Sequence, residues 1–163
     1  MAITRHPAVH RRKQGKSWPR WIQAERRVAG VLKHLPMDRF IITNDVKFRY
    51  GNIDHLVIRD DGAIFLIETK SHVGRVTTDG KQLLLNGRPF QDNYLCQVNR
   101  TIRWLRRMAR TMFRANPWFV TALVFPNAQV PIRRALKNVN VMDAKRLLDF
   151  IRAYVSEQYQ PPF

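Results

Sequence analysis

Cysteine is almost missing from this chain: one, Cys96, stands in 163 residues. Alone it forms neither an intramolecular disulfide nor a zinc cluster, and nothing around it suggests a nucleophile. The expectation is a small buried hydrophobe in a reducing cytoplasm. Long apolar runs are missing too. No stretch approaches the roughly 20 residues that a membrane helix needs, the first 21 residues lack the apolar centre of a secretory signal, and the N-terminus carries no myristoylation pattern. A spanning, exported or lipid-anchored protein is therefore not expected, and the location implied is cytoplasmic. Internal repeats are absent, and so is any sign of a second globular domain.

Acidic residues are scarce. Twelve Asp and Glu face 29 Lys and Arg, a net charge of +17 with pI near 11.3. Such a chain repels itself unless a polyanion compensates, and nucleic acid is the leading partner. An acidic membrane is the competing polyanion, but it calls for an amphipathic basic helix with an exposed apolar face or an anchor. With 45% hydrophobic and 25% charged residues, the chain should fold unaided as one domain, residues 18–163, burying about 68–70% of its unfolded surface. Residues 1–17 are expected to be a flexible basic arm able to touch phosphates.

Periodicity sketches the elements. Ile22, Val28, Val31, Leu32 and Leu35 recur at helical spacing from Trp18 to Leu35, with Ser17 as N-cap and Pro36 as stop. Strands follow at residues 39–49, 52–59 and 63–71, with a short one at 81–85 before an Asn86-Gly87 turn. Asp92 or Asn93 caps a helix from about Leu95 to Phe113, whose wheel turns Val98, Ile102, Leu105, Ala109, Met112 and Phe113 inward. Its other face carries Arg100, Arg103, Arg106, Arg107, Arg110 and Arg114, with no acid on the helix to pair them. That face suits phosphate binding. The apolar run Trp118 to Phe125 reads as a strand buried on both faces. A last strand, Val139 to Met142, leads to a helix at 144–154 capped by Asp143, with Leu147, Leu148, Ile151 and Val155 inward. The order is α/β, a central mixed β-sheet flanked by helices.

The chemistry concentrates in Gly51 to Ser71, GNIDHLVIRDDGAIFLIETKS. A three-residue loop of Asp60, Asp61 and Gly62, the glycine left-handed, would place Asp54 opposite Glu68 on one face. A two-residue loop would pair Asp54 with Thr69 and part the carboxylates; the former is expected. The stretch 63–67 is apolar on both faces, so this strand is central, and Glu68 and Lys70 appear where it leaves the core. Facing carboxylates repel unless one is protonated or a cation lies between them. Mg²⁺ or Mn²⁺ suits two carboxylates, a backbone carbonyl such as that of Thr69, and waters. Lys70, on the side of Glu68, would assist the attacking water or stabilise charge on a phosphate. His55 faces away from Asp54 and reads as a strand side chain.

The residues Asn52-Ile53-Asp54-His55-Leu56-Val57-Ile58, then Gly62, Ile64-Phe65-Leu66-Ile67-Glu68-Thr69-Lys70 and Gly74, resemble the NERD (nuclease-related) domain, a branch of the PD-(D/E)XK nuclease superfamily. Glu25 is similar to the family's first-helix glutamate, Gln97-Val98 to the start of its later helix, and Phe125-Pro126-Asn127-Ala128 to a late strand and turn. The resemblance implies a restriction-endonuclease-like core, metal binding by Asp54 and Glu68, a catalytic Lys70, and support from Glu25 and Gln97. Ile53 replaces the superfamily's proline before the aspartate, a departure usual in this branch, and His72 stands near the family's aromatic position.

The function expected is a Mg²⁺- or Mn²⁺-dependent deoxyribonuclease, with Arg26, Arg27, Arg100, Arg103, Arg107 and Arg110 holding the DNA backbone and no organic cofactor. The alternatives are a non-catalytic basic DNA-binding module on a nuclease-like scaffold and, more weakly, an RNA- or ribosome-associated protein. Oligomeric state stays open between a homodimer and recruitment by a partner protein.

Overall fold

The computed structural model describes residues 18–49 and 51–155. The expected basic arm, the Ser17 cap and Tyr50 lie outside the described residues. In chain order the elements are α1 (Arg20–Leu32), β1 (Phe40–Phe48), β2 (Gly51–Arg59), β3 (Ile64–Thr69), β4 (Gly74–Thr78), β5 (Leu83–Leu85), β6 (Arg88–Pro89), α2 (Tyr94–Phe113), β7 (Phe119–Val124), β8 (Ala128–Gln129), β9 (Asn140–Met142), a 3-10 turn (Ala144–Arg146) and α3 (Leu147–Ala153).

Five strands form the main sheet in the order β1-β2-β3-β7-β9. β1, β2 and β3 are antiparallel neighbours, whereas β3, β7 and β9 run parallel. The parallel strands are apolar on both sides, as a sheet covered on two faces requires. Phe65, Ile67, Val120, Ala122 and Val124 pack with Val28 and Leu32 of α1 and with Leu147 and Ile151 of α3. Leu66, Leu123 and Val141 pack with Leu95, Val98 and Ile102 of α2. A second, four-stranded sheet in the order β6-β5-β4-β8 lies on the α2 side, joining that core through Val76 and Leu83. The architecture is the mixed sheet flanked by helices that the patterning implied.

Several local expectations change. Cys96 is exposed, not buried: it follows Leu95, which takes the inward place on α2. Met112 and Phe113 are also outside, at 61% and 74% exposure. A 20-residue helix is about 30 Å long, and the residues of α2 that are fully buried, Leu95, Val98 and Ile102, all belong to its first half. Val155 is 84% exposed, because α3 stops at Ala153 and Tyr154 is already extended. The first helix begins at Arg20 with Pro19 in the cap position and no side-chain cap, and β4, β6 and β8 are strands that periodicity did not mark. At α2, Asn93 is the cap, accepting from the Cys96 N–H.

Candidate active site

The β2-β3 turn sets the geometry. Arg59 N–H donates to the Ala63 carbonyl at 3.0 Å and Gly62 N–H to the Arg59 carbonyl at 2.8 Å. This encloses a loop of Asp60, Asp61 and Gly62 with Gly62 at φ +87, a backbone that only glycine adopts at no steric cost. The guanidinium of Arg59 grips Asp61 through two bonds of 2.9 and 2.6 Å. It also donates to the carbonyls of Ile151 and Tyr154, so one buried cation ties the loop to the end of α3. Pairing runs His55 with Ile67 and Leu56 with Leu66; one step further along the same ladder, Asp54 faces Glu68. The Thr69 N–H donates to Asp54 Oδ2 at 2.8 Å, which fixes that carboxyl at the end of the hairpin.

β1 brings a further acid. Asn44 pairs with His55 and Val46 with Ile53, which leaves Asp45 across from Asp54. Asp45 has φ +51, a conformation that Asp tolerates better than most residues, and its Oδ1 accepts from Asn52 Nδ2 at 3.1 Å. The opening turns of α1 and α2 supply the flanks. Glu25 and Trp21 from α1, Tyr94 from α2, His72 from the segment after β3, and Asp45, Asp54, Glu68 and Lys70 line one open cleft of about 720 Å³. Lys70 continues the parallel ladder, its N–H donating to the Val124 carbonyl at 2.9 Å. Its ammonium donates to Glu68 Oε1 at 2.7 Å and stands 4.8 Å from the centre of the Tyr94 ring. The Tyr94 hydroxyl in turn meets His72 Nε2 at 2.8 Å.

Charge in this cleft is only partly balanced. Burial, then the carboxylate of Glu68, raise Asp54 to about 7, against the lowering influence of the Thr69 N–H and of Lys70. Glu25 is raised as well, by burial first and then by Asp45 and Glu68. His72 is lowered by burial and by Lys70. His55, on the other face of β2, is buried with its Nδ1 2.7 Å from Asn44 Oδ1, and burial lowers it to about 4, so its ring is neutral near pH 7.

Of the residues singled out from sequence, Glu25, Asp54, Glu68 and Lys70 share this cleft. Gln97 and Arg100 line an adjoining groove of about 320 Å³ whose wall also includes Glu68. Arg103, Arg107 and Arg110 stand exposed along α2, Arg110 donating to Asn116 Oδ1. Arg26 and Arg27 are elsewhere: Arg26 lies over the Trp18 ring at 4.3 Å, and Arg27 donates to Asn127 Oδ1 at 2.9 Å. Asp45, Trp21 and Tyr94 were not anticipated. Asp45 lies three residues before the end of β1, as Asp54 lies three after the start of β2, a symmetry that only the strand bounds reveal.

Among the described residues, no three His, Cys, Asp or Glu side chains converge as a metal cluster. The donors that the hairpin brings together are the carboxylates of Asp54 and Glu68, an all-oxygen pair in which burial first, and then Glu68, push Asp54 upward. That set fits a hard divalent ion that keeps several waters, and does not suit a thiophilic one.

Fold and cleft together define a mixed α/β domain that gathers carboxylates and a lysine at the carboxyl end of a central strand. Residues 20–126 match the family model of the nuclease-related domain, NERD, and the chain belongs to that family. No curated protein matches it. A solved EndoMS–dsDNA complex is similar at a TM-score of 0.39 and 13% identity, over 93% of this chain and 49% of the other, so this chain spans about half the length of that one. No helix among the described residues is long and apolar enough to cross a membrane.

Proposed function

We propose that this protein is a Mg²⁺- or Mn²⁺-dependent nuclease of the PD-(D/E)XK type that hydrolyses phosphodiester bonds in DNA. The observation that supports the reading is the three-residue hairpin loop: its register, carried one step past His55 and Ile67, sets Asp54 opposite Glu68, and Lys70 pairs with Glu68. Asp54, Glu68 and the Thr69 carbonyl hold the ion, which when bound supplies positive charge for the phosphate and acidifies water. Lys70 supplies the ammonium that stands beside Glu68 in the cleft. Its ammonium, 4.8 Å from the centre of the Tyr94 ring, would assist the attacking water or stabilise charge on a phosphoryl oxygen. Glu25 and Gln97 flank the carboxylates from the two helices, and Arg100, Arg103, Arg107 and Arg110 hold the backbone at phosphates.

Incubating the protein with linear and circular DNA, with and without divalent metal, tests this directly. Lys70→Ala should retain DNA binding while Mg²⁺-dependent cleavage falls by roughly 10²–10³-fold, the usual loss when one charge stabiliser is removed. Equal cleavage by wild type and variant would overturn the assignment. Salt-sensitive binding by wild type with no cleavage in Mg²⁺ or Mn²⁺ would leave a non-catalytic DNA-binding module.

A further inference from the structure

A second concavity lies on the same edge of the main sheet as the cleft. β3, β7 and β9 are parallel neighbours, so their carboxyl ends line up along one edge, where open α/β sheets place their ligands. The acidic cleft sits at the end of β3. A separate pocket of about 400 Å³ sits at the ends of β7 and β9, where Pro126 and Ala128 follow one strand and Asp143 follows the other. Adjacent strands are about 4.8 Å apart, so one or two strand steps, roughly 5–10 Å, separate the two along the edge.

Three cations from three distant parts of the chain line this pocket: Arg27 of α1, Arg75 of β4 and Lys145 of the 3-10 turn. The fold holds their backbones in place. Arg75 is fixed by its pairing with Gln129 and by Asn86, whose Oδ1 accepts from the Arg75 N–H at 2.8 Å. Arg27 is steadied by Asn127. The one acid in the lining, Asp143, is engaged in capping, its Oδ1 accepting from the N–H groups of Lys145 at 3.0 Å and Arg146 at 3.2 Å. Among the described residues, none of the three cations is in an ion pair. Gathering like charges around an apolar-floored pocket is unfavourable without an anion to neutralise them.

We propose that the pocket of Arg27, Arg75 and Lys145 binds a nucleic-acid phosphate, holding the strand whose neighbouring phosphate enters the acidic cleft. The phosphate is either internal to the strand or a terminal monoester. The continuity with the cleft rests on the nuclease reading; phosphate binding itself does not.

The test uses the full chain with Arg75→Ser and Lys145→Ser combined, both exposed positions outside the catalytic cleft, and a charge-conserving Arg75→Lys, Lys145→Arg partner. Inorganic phosphate is titrated by NMR, and short single-stranded oligonucleotides with a 5′-phosphate or a 5′-hydroxyl are bound in chelator across a salt series. The serine variant should bind inorganic phosphate at least tenfold more weakly. Its slope of log affinity against log salt should be shallower by about two, while the charge-conserving variant keeps wild-type values. Equal weakening of both oligonucleotides assigns the pocket to an internal phosphate, and loss confined to the 5′-phosphorylated one to a terminal phosphate. Unchanged phosphate affinity together with an unchanged slope overturns the proposal. If wild type cleaves nothing but the slope still drops, the nuclease reading fails and the pocket stands.

Discussion

Asp54 and His55 are adjacent in sequence, on opposite faces of β2, and titrate in opposite senses. Asp54 is held at about 7 in the folded chain, far above an unfolded aspartate, so it favours folding while protonated and loses that contribution as pH rises from about 4 to 7. His55, lowered to about 4, must stay neutral in the core, so its contribution is present above the unfolded pKa of 6.5 and is lost as pH falls from there toward 4. In chelator the two slopes oppose each other over most of that window, and wild-type stability should be nearly flat. Asp54→Asn keeps an oxygen for the Thr69 N–H and removes the carboxylate. It should unmask a rise in stability from pH 4 to 6.5 and leave the protein more stable than wild type at pH 7.5, on the order of 2–4 kcal/mol for a shift of this size. Urea denaturation across pH reads this out, and a variant no more stable than wild type at pH 7.5 would contradict it. Millimolar Mg²⁺ should narrow the gap by stabilising only the wild type.

Among the elements, the β4-β5 hairpin depends on one close approach. Gly74 has φ +127, and a Cβ there would meet the Asn86 side chain at 2.6 Å. Asn86 cannot swing aside freely because its Oδ1 accepts from Arg75. Gly74→Ala should therefore destabilise the chain by about 1–3 kcal/mol, combining an unfavourable backbone with a lost bond, measurable as a lower urea midpoint with unchanged slope; a neutral variant would show that Asn86 yields without cost. Asn86→Ala in the Gly74→Ala background should recover only the steric part. This small sheet is where sequence patterning ran out. The β2-β3 hairpin was legible because Asp60-Asp61-Gly62 allows few turns and the flanking apolar residues fix which face is inside. β7 was legible as a nearly continuous apolar run, interrupted only by Thr121. β4 alternates no such pattern, and its parallel partner β8 comes about 50 residues later, so only the folded chain brings Gly74 beside Ala128. The α2 wheel was right in direction and wrong in extent, since periodicity shows which way a side chain turns but not where the neighbouring sheet ends. In the site, Asp54, Glu68 and Lys70 share one hairpin and could be placed by counting, whereas Asp45 and Tyr94 arrive from outside it.

For the molecule as a whole, the decisive quantity is the unbalanced charge, +17 over 163 residues. Ion pairs leave that excess unchanged: those among the described residues are Arg39–Asp60, Lys47–Asp45, Arg59–Asp61 and Lys70–Glu68, and α2 contributes none of them. Added salt acts on such a protein in two directions. It weakens exposed pairs such as Arg39–Asp60, and it screens the mutual repulsion of the cations. Raising ionic strength from 0.01 M to 0.1 M shortens the screening length from about 30 Å to about 10 Å, below the length of α2, so distant arginines stop sensing one another. Repulsion spread over the whole surface outweighs a few exposed pairs, and Tm should climb by a few °C over that range, about 1–2 kcal/mol for a chain of this size. A short DNA duplex added in chelator should raise Tm most at the lowest salt, with the increment fading as salt rises, because the duplex and the ions relieve the same repulsion. Thermal melts over a matrix of salt and duplex concentrations separate the two contributions. A Tm that falls with salt would mean that the ion pairs dominate after all, and the excess cations would then need a structural explanation in place of a polyanionic partner.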